Sequence, residues 1–217
     1  MAHPELPYVL KDLRGLYKPP RSFLNWSSPF ELLIATVHSA QCTDDRVNQE
    51  TPALFKKYKT PEAYLKVPHS ELAMDIGRIT YFNSKAKYIQ QTCEILLEKH
   101  NGEVPRTLRD LIELPGVGRK TGTIVLRAAY GLIEGIPVDT HVLRLARRLR
   151  LTRSKNPDRV SKDLEHQSDR KDWPTVNPLL ISHGRAVCTA RNRQCEKCVF
   201  AKSCPSSRLL GKQDLAK

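Results

Sequence analysis

With 217 residues, 40% of them hydrophobic and 27% charged, the chain can form one large domain or two small ones around a sizeable core, and no apolar run approaches the roughly 18 residues of a membrane span. The opening Met1-Ala2-His3-Pro4-Glu5-Leu6 has neither a basic nor an apolar segment, so no secretory leader is expected. A net charge of +13 exceeds what solubility needs and favours a polyanionic partner; without a basic amphipathic anchor or lipidation signal, nucleic acid is preferred to a membrane.

Val9, Leu10, Leu13 and Tyr17 predict a first amphipathic helix. Ser28-Pro29-Phe30-Glu31 predicts a helix start on three agreeing signals: Ser at the N-cap, Pro at the first position, and Glu completing a capping box. Phe30, Leu33, Ile34 and Val37 are its expected buried face, and the small polar stretch Ser39-Ala40-Gln41-Cys42-Thr43-Asp44 its expected end. Leu54 and Phe55 continue a helical pattern, and Thr60-Pro61 and Ser70-Glu71 read as further helix starts. After the short connection from Arg78 to Asn83, a helix from Ser84 to about His100 is expected to bury Ile89, Cys93, Leu96 and Leu97 and to stop at Asn101-Gly102. Leu108, Leu111 and Leu114 then give a short helix.

That helix leads into Leu114-Pro115-Gly116-Val117-Gly118-Arg119-Lys120-Thr121. Pro-Gly and a second Gly make a tight turn poor in β-carbons, and Val117, Thr121, Ile124, Val125 and Ala128 recur at helical spacing. A glycine hairpin feeding a helix offers outward amides to a phosphate. Lys120 falls in the first helical turn, where the positive helix end opposes an ammonium and favours the free amine, the nucleophilic form. A lone Gly-x-Gly is more often an ordinary helix connection with a solvated Lys. Gly131 to Pro137 interrupt the pattern, and Val138-Asp139-Thr140-His141 opens a helix carrying Val142, Leu145, Ala146 and Leu149. An Asp at such a start is more often a cap than a catalyst. Arg144, Arg147, Arg148, Arg150 and Arg153 form either a solvated face or a phosphate-contacting surface. Residues 151–175 read as a polar loop with one helix, and Val176, Leu179 and Leu180 begin another that delivers Cys188; past Cys204 a polar, basic tail is expected to fray. With no period-2 alternation anywhere, the chain predicts an all-α fold.

Six cysteines without a secretory leader point to a reducing, cytoplasmic setting and to metal ligation rather than disulfides. Cys188, Cys195, Cys198 and Cys204, spaced C-x6-C-x2-C-x5-C, can hold zinc or an iron–sulfur cluster. Only Cys195 and Cys198 make a C-x2-C knuckle, and the uneven spacing suits a cubane, with zinc left open. Arg185, Arg191, Arg193, Lys197 and Lys202 interleave the ligands and either offset a negative cluster or contact DNA. Cys42 and Cys93 read as small core residues on helical apolar faces.

The hairpin, the Val138-Asp139-Thr140-His141 start and the cysteine loop together resemble the endonuclease III family of helix–hairpin–helix DNA glycosylases and apurinic/apyrimidinic lyases. Ser28 to Ala35, Ser39-Ala40-Gln41, Asn83-Ser84-Lys85-Ala86 and His100 to Pro105 match the same family, in order, over nearly the whole chain. The resemblance implies two helical lobes with a DNA-binding cleft between them. A six-helix barrel lobe would span 22–133, with the helix–hairpin–helix at about 107–130. Residues 1–21 plus 134–217 would form a cluster lobe, its loop 188–204 holding a 4Fe–4S cluster on Cys188, Cys195, Cys198 and Cys204. Lys120 would attack as the amine that forms a Schiff base, and Asp139 would stabilise charge on the sugar or assist proton transfer. Gln41 and Tyr81 would fill and wedge the duplex, with Gly116, Val117, Gly118, Arg119, Thr121 and His141 as further DNA contacts.

The implied activity is base excision repair: removal of oxidised or damaged pyrimidines, then β-elimination at the abasic site. The implied partner is double-stranded DNA carrying damaged bases or abasic sites, bound by a monomer in the nucleoid with no membrane involved. Related branches specialised for adenine or for T opposite G lack Lys at the hairpin position, so Lys120 selects the bifunctional branch. A monofunctional glycosylase for T or U opposite G and a non-catalytic iron–sulfur DNA-binding protein are the alternatives. The chain departs from the family in Thr80-Tyr81-Phe82, where Gly-Leu-Tyr is usual, and in Cys42, where Ala is usual. It also has Gly122, which costs about 1 kcal/mol of helix propensity unless another helix packs there.

Overall fold

The computed structural model describes residues 4–18, 20 and 22–210, and every regular element among them is helical. Residues 211–217, most of the tail expected to fray, lie outside the described residues. In chain order the α-helices are α1 (Leu6–Leu16), α2 (Pro29–His38), α3 (Asp44–Lys57), α4 (Pro61–Leu65), α5 (His69–Asp75), α6 (Phe82–His100), α7 (Leu108–Ile112), α8 (Arg119–Val125), α9 (Thr140–Arg148), α10 (Pro157–His166) and α11 (Trp173–Ala186). Contacts divide the chain into two units. One is Ser22–Glu134; the other joins the N-terminal stretch carrying α1 with everything from Gly135 onward. No helix among the described residues is long and apolar enough to cross a membrane.

The Ser22–Glu134 unit is built around α2. After Glu31 this helix carries no charged residue, and an apolar helix without a polar stripe belongs inside. Leu32, Leu33, Ile34, Ala35 and Val37 are at most 2% exposed, and Phe30, expected in the buried face, is only half-buried. The helix starts as its sequence predicts: Ser28 Oγ accepts from the Glu31 amide at 3.1 Å. Glu31, however, does not close the box on Ser28. Its carboxylate accepts from Ser27 N and Ser27 Oγ, both at 2.6 Å, so the reciprocal bond is one residue longer. Around α2 lie Leu54, Tyr58, Tyr64, Leu72, Ile76, Ile89 and Leu96, each burial contributing about 1.5–3 kcal/mol for the aliphatic side chains.

Several predicted boundaries move. Helix α5 begins at His69 with Pro68 in the cap position, so Ser70 lies inside the helix and caps nothing. Pro68, with φ fixed by its ring, sets the extended turn that the Ser70 reading missed. Helix α6 begins at Phe82, two residues ahead of Ser84, because Tyr81 turns the chain in the left-handed region at φ 59°. It ends where predicted: Asn101 has φ 52° and the Gly102 amide donates to Leu96 O at 2.9 Å. Leu97 is half-buried; Thr92 joins Ile89, Cys93 and Leu96 on the buried face instead. Cys42 lies in the turn between α2 and α3 and is half-buried, not on a helical face, whereas Cys93 is fully buried in α6.

Helices α7 and α8 form the hairpin pair. Val117 is 5% exposed but sits in the turn, ahead of α8. After Val125 the chain continues as a π-helical segment, Leu126–Tyr130, and stops at Gly131. Gly122 is explained by packing. A β-carbon there would come within 2.8 Å of Leu108 Cδ1 and 3.4 Å of Leu111 Cβ, so the missing side chain is what lets α7 lie against α8.

In the second unit Leu6, Val9, Leu10 and Leu13 of α1 are 0–1% exposed, and α1 packs on α11. Arg14 pairs with Asp172 at 2.7 Å near the surface, a contact of at most about 1 kcal/mol. Helix α10, capped by Asn156, is the one α-helix expected between 151 and 175. Helix α11 starts at Trp173, three residues ahead of Val176, because Pro174 suits a first turn.

Candidate functional site

The hairpin is rigid on its inner side and open on its outer side. Gly116 has φ 78°, and a β-carbon on it would press on Tyr88 at 3.3 Å and Val37 at 3.4 Å. Thr92 Oγ1 donates to Pro115 O at 3.1 Å and ties the turn to α6; the Val117 amide closes it on Leu114 O at 3.0 Å. Gly118 is extended and forms the N-cap of α8, and a β-carbon on it would meet nothing within 4 Å. The first helical bond runs from Gly122 N to Gly118 O at 2.9 Å, so the amides of Arg119, Lys120 and Thr121 have no intrahelical acceptor. Arg119 and Lys120 are exposed and Thr121 is half-buried. Gly116→Ala is expected to cost about 1–2 kcal/mol for the left-handed backbone alone. Gly118→Ser, which adds a better cap in open space, should leave the unfolding midpoint unchanged or slightly raised. Denaturant unfolding of the two variants checks the contrast.

Two turns bring distant residues to the hairpin's neighbourhood. Gln41 has φ 54° and Tyr81 φ 59°, and both side chains are exposed. With Ala40, Lys85, Tyr88 and Gly116 they line an open groove of about 290 Å³. Lys85 is buried; its Nζ donates to His38 O at 2.7 Å and Ala40 O at 2.6 Å, and burial holds its ammonium below the usual lysine range. His38 is fully buried; burial first, then the Lys85 charge, drives its ring down to about 3, so it is neutral. Sequence patterns assign no role to Lys85, His38 or Tyr88. A lysine one turn into a helix reads as solvated, and only the carbonyls facing it reveal otherwise.

Asp139 takes the capping place weighed for it. It is the N-cap of α9, its Oδ1 accepting from the Val142 amide at 2.8 Å, and it is half-buried. Its Oδ2 accepts no hydrogen bond among the described residues. His141 is half-buried, and its Nδ1 accepts from Arg144 Nη2 at 3.1 Å. Since a guanidinium only donates, the His141 proton belongs on Nε2. Lys120 lies in the Ser22–Glu134 unit and Asp139 in the other.

The five arginines from Arg144 to Arg153, three of them on α9, do not form the uniform surface considered from sequence. Arg144 donates to the carbonyls of Cys188 at 3.2 Å and Gly184 at 3.0 Å. Arg148 Nη1 donates to Cys188 O, Cys188 Sγ and Thr189 O at 3.3, 3.2 and 2.7 Å, and Nη2 to Ala190 O at 3.0 Å. Two of the five therefore clamp the cysteine loop, while Arg147, Arg150 and Arg153 are exposed.

Cys188, Cys195, Cys198 and Cys204 line one small cavity, with Arg148 and Arg193 on its wall. His183, 2% exposed, has Nε2 at 3.4 Å from Cys198 Sγ and Nδ1 at 3.0 Å from Tyr17 Oη. Burial pushes the Cys198 thiol up to about 11, raises that of Cys204, and lowers His183 to about 4. Four soft sulfurs facing one space, with cationic donors beside them, form a donor set for a thiophilic, anionic group. Among the described residues no three His, Cys, Asp or Glu side chains are grouped to hold a single metal ion.

Comparison with known proteins agrees with this geometry. The model of the HhH-GPD superfamily base excision DNA repair protein matches residues 34–168, more than half of the chain. The chain is 42% identical to endonuclease III of Synechocystis sp., over 92% of this chain and 91% of that one. It is 39% identical to endonuclease III of Bacillus subtilis, over 98% and 97%. It superposes with TM-score 0.89 and 40% identity on a solved structure of a trapped endonuclease III–DNA covalent intermediate, the estranged-adenine complex, covering 93% of this chain and 94% of that one.

Proposed function

The chain belongs to the endonuclease III family of HhH-GPD superfamily base excision DNA repair proteins, and on that premise we propose that Lys120 is its nucleophile, Asp139 its assisting carboxylate and Cys188, Cys195, Cys198 and Cys204 the ligands of a 4Fe–4S cluster. The enzyme is a DNA glycosylase and apurinic/apyrimidinic lyase acting on damaged double-stranded DNA. The observation that carries the lyase reading is Lys120 itself: an exposed primary amine in the first turn after a hairpin whose amides face outward.

The sugar of a stacked nucleotide is shielded, so the damaged pyrimidine must first leave the stack. Basic side chains and the amides after Gly118 hold the phosphate backbone. Gln41 and Tyr81, exposed on adjacent turns, occupy the vacated space. The uncharged amine of Lys120 attacks C1′; the C1′–N bond breaks and the base leaves with a proton. Opening of the sugar ring gives a Schiff base between Nζ and C1′. Loss of a C2′ proton then expels the 3′ phosphate and nicks the strand. Asp139, through the oxygen not used as a cap, stabilises positive charge on the sugar or moves the proton.

The cysteine cavity fits the cluster. It is lined by all four sulfurs and carries Arg148 as a donor to Cys188 Sγ. When bound, the cluster ties together the loop 188–204 through iron–thiolate bonds. The chain's own part is to clamp that loop from α9 with Arg144 and Arg148 and to offset the negative charge.

A duplex with one thymine glycol tests the reading. The protein should release the base, nick the strand and form a covalent adduct on borohydride reduction. Base release without nick or adduct would place it with the monofunctional glycosylases, and salt-dependent binding without base release would leave a non-catalytic binder. Metal analysis should find iron and sulfide in about equal amounts; stoichiometric zinc overturns the cluster.

A further inference from the structure

Lys85 stands where an ammonium is doubly disfavoured. It is 5% exposed, and it lies in the first turn of α6, at the positive end of that helix. Among the described residues it forms no ion pair with a carboxylate. Its partners are two backbone carbonyls, His38 O at 2.7 Å and Ala40 O at 2.6 Å.

Those carbonyls belong to the C-terminal end of α2, where unpaired C=O groups and partial negative charge collect. The neighbouring ones are met locally. Ala35 O accepts from Ser39 N at 3.0 Å, Thr36 O from Ser39 Oγ at 2.9 Å, and Val37 O from Ala40 N at 3.3 Å. Lys85 takes the two that remain, and the second is the carbonyl directly before Gln41. The neutral His38 ring forms no hydrogen bond among the described residues. On its own helix, the Lys85 amide donates to Tyr81 O at 3.0 Å, the first bond after the turn that Tyr81 makes. One residue is thereby fastened to both turns that hold exposed side chains in the left-handed region, Gln41 at φ 54° and Tyr81 at φ 59°.

We propose that Lys85 is a positioning residue for base extrusion: its ammonium, bridging the end of α2 to the start of α6, fixes the Gln41 and Tyr81 turns relative to one another so that both side chains enter the duplex together. This rests on the reading of Gln41 and Tyr81 as the residues that fill and wedge the DNA. Without the bridge the buried His38 carbonyl and the part-buried Ala40 contact lose their donor and the Gln41 turn relaxes. Work on a stacked duplex suffers; chemistry on a sugar already accessible does not.

Lys85→Met keeps the length of the side chain and removes its donors and charge. The iron-loaded full chain is assayed on a thymine-glycol duplex and on a single-stranded oligonucleotide carrying an abasic site. Under single turnover, base release from the duplex should fall about 30-fold or more, and cleavage of the single strand should stay within about 3-fold of the parent. Gln41→Ala should slow duplex excision in the parent and add little in the Lys85→Met background, because both changes act through one turn. Lys85→Arg, which keeps charge and donors, should recover part of the duplex rate; if Lys85→Met fails to fold, Lys85→Arg should still show the same split on a smaller scale. Equal losses on both substrates, or strictly additive effects of Gln41→Ala and Lys85→Met, overturn the proposal. A parent inactive on both substrates instead overturns the enzymatic reading beneath it.

Discussion

Lys120→Ala is expected to abolish the borohydride-trapped adduct and to lower strand nicking by at least about 10³-fold, equivalent to about 4 kcal/mol of barrier. The structure makes this variant a clean one. Lys120 is exposed, so truncation opens no cavity, and the substitution removes a cation from the positive end of α8 in favour of the best helix former. The unfolding midpoint should therefore hold or rise slightly. Duplex affinity and its salt dependence should change little, because the residue addresses the sugar rather than a phosphate. Lys120→Arg sharpens the test. It keeps the charge but offers a guanidinium that does not deprotonate, and it should lose the adduct as completely as Ala does. A Lys120→Ala protein that still nicks abasic duplex and still traps would remove this residue from the chemistry. One that releases bases at the parental rate would show that water, not the amine, displaces the base.

The helix ends were legible because capping is local. Ser28 caps α2, Asp139 caps α9, and Asn101-Gly102 closes α6, each as four or five adjacent residues predict. Boundaries set by backbone strain were not legible: nothing in Thr80-Tyr81-Phe82 says that Tyr81 takes φ 59° and starts α6 two residues early. The same holds for the π-helical continuation at Leu126–Tyr130. Periodicity also tells which face of a helix is apolar, but not what opposes a polar residue. Arg144 and Arg148 share α9 with Arg147, yet only the first two meet the carbonyls of the cysteine loop. Lys85 falls within the family-like Asn83-Ser84-Lys85-Ala86, but the carbonyls it meets belong to the end of α2, more than forty residues earlier. Gly122 shows the opposite case: a propensity conflict visible in the sequence that packing against Leu108 resolves.

Asp139 caps α9, and a pair of variants separates that duty from the catalytic one proposed for its carboxylate. Its Oδ1 caps α9 through the Val142 amide, a bond that Asn makes as well as Asp, whereas Ala makes none. Asp139→Asn should therefore keep the fold to within the 0.3–1 kcal/mol, roughly, that a negative charge contributes at a helix N-terminus. Asp139→Ala should lose about 1 kcal/mol more, read as a lower denaturant midpoint at unchanged slope. Catalysis should not follow that order. Both variants lack the carboxylate charge that the proposed mechanism requires, so both should release damaged bases about 10²–10⁴-fold more slowly, with Asn no better than Ala despite its stability. Lyase action on a preformed abasic site, where no glycosidic bond remains to break, should suffer less in either variant. If activity instead tracks stability, with Asn near the parent and only Ala impaired, the residue is a cap that happens to lie beside the chemistry, and another group must balance the charge that develops on the sugar.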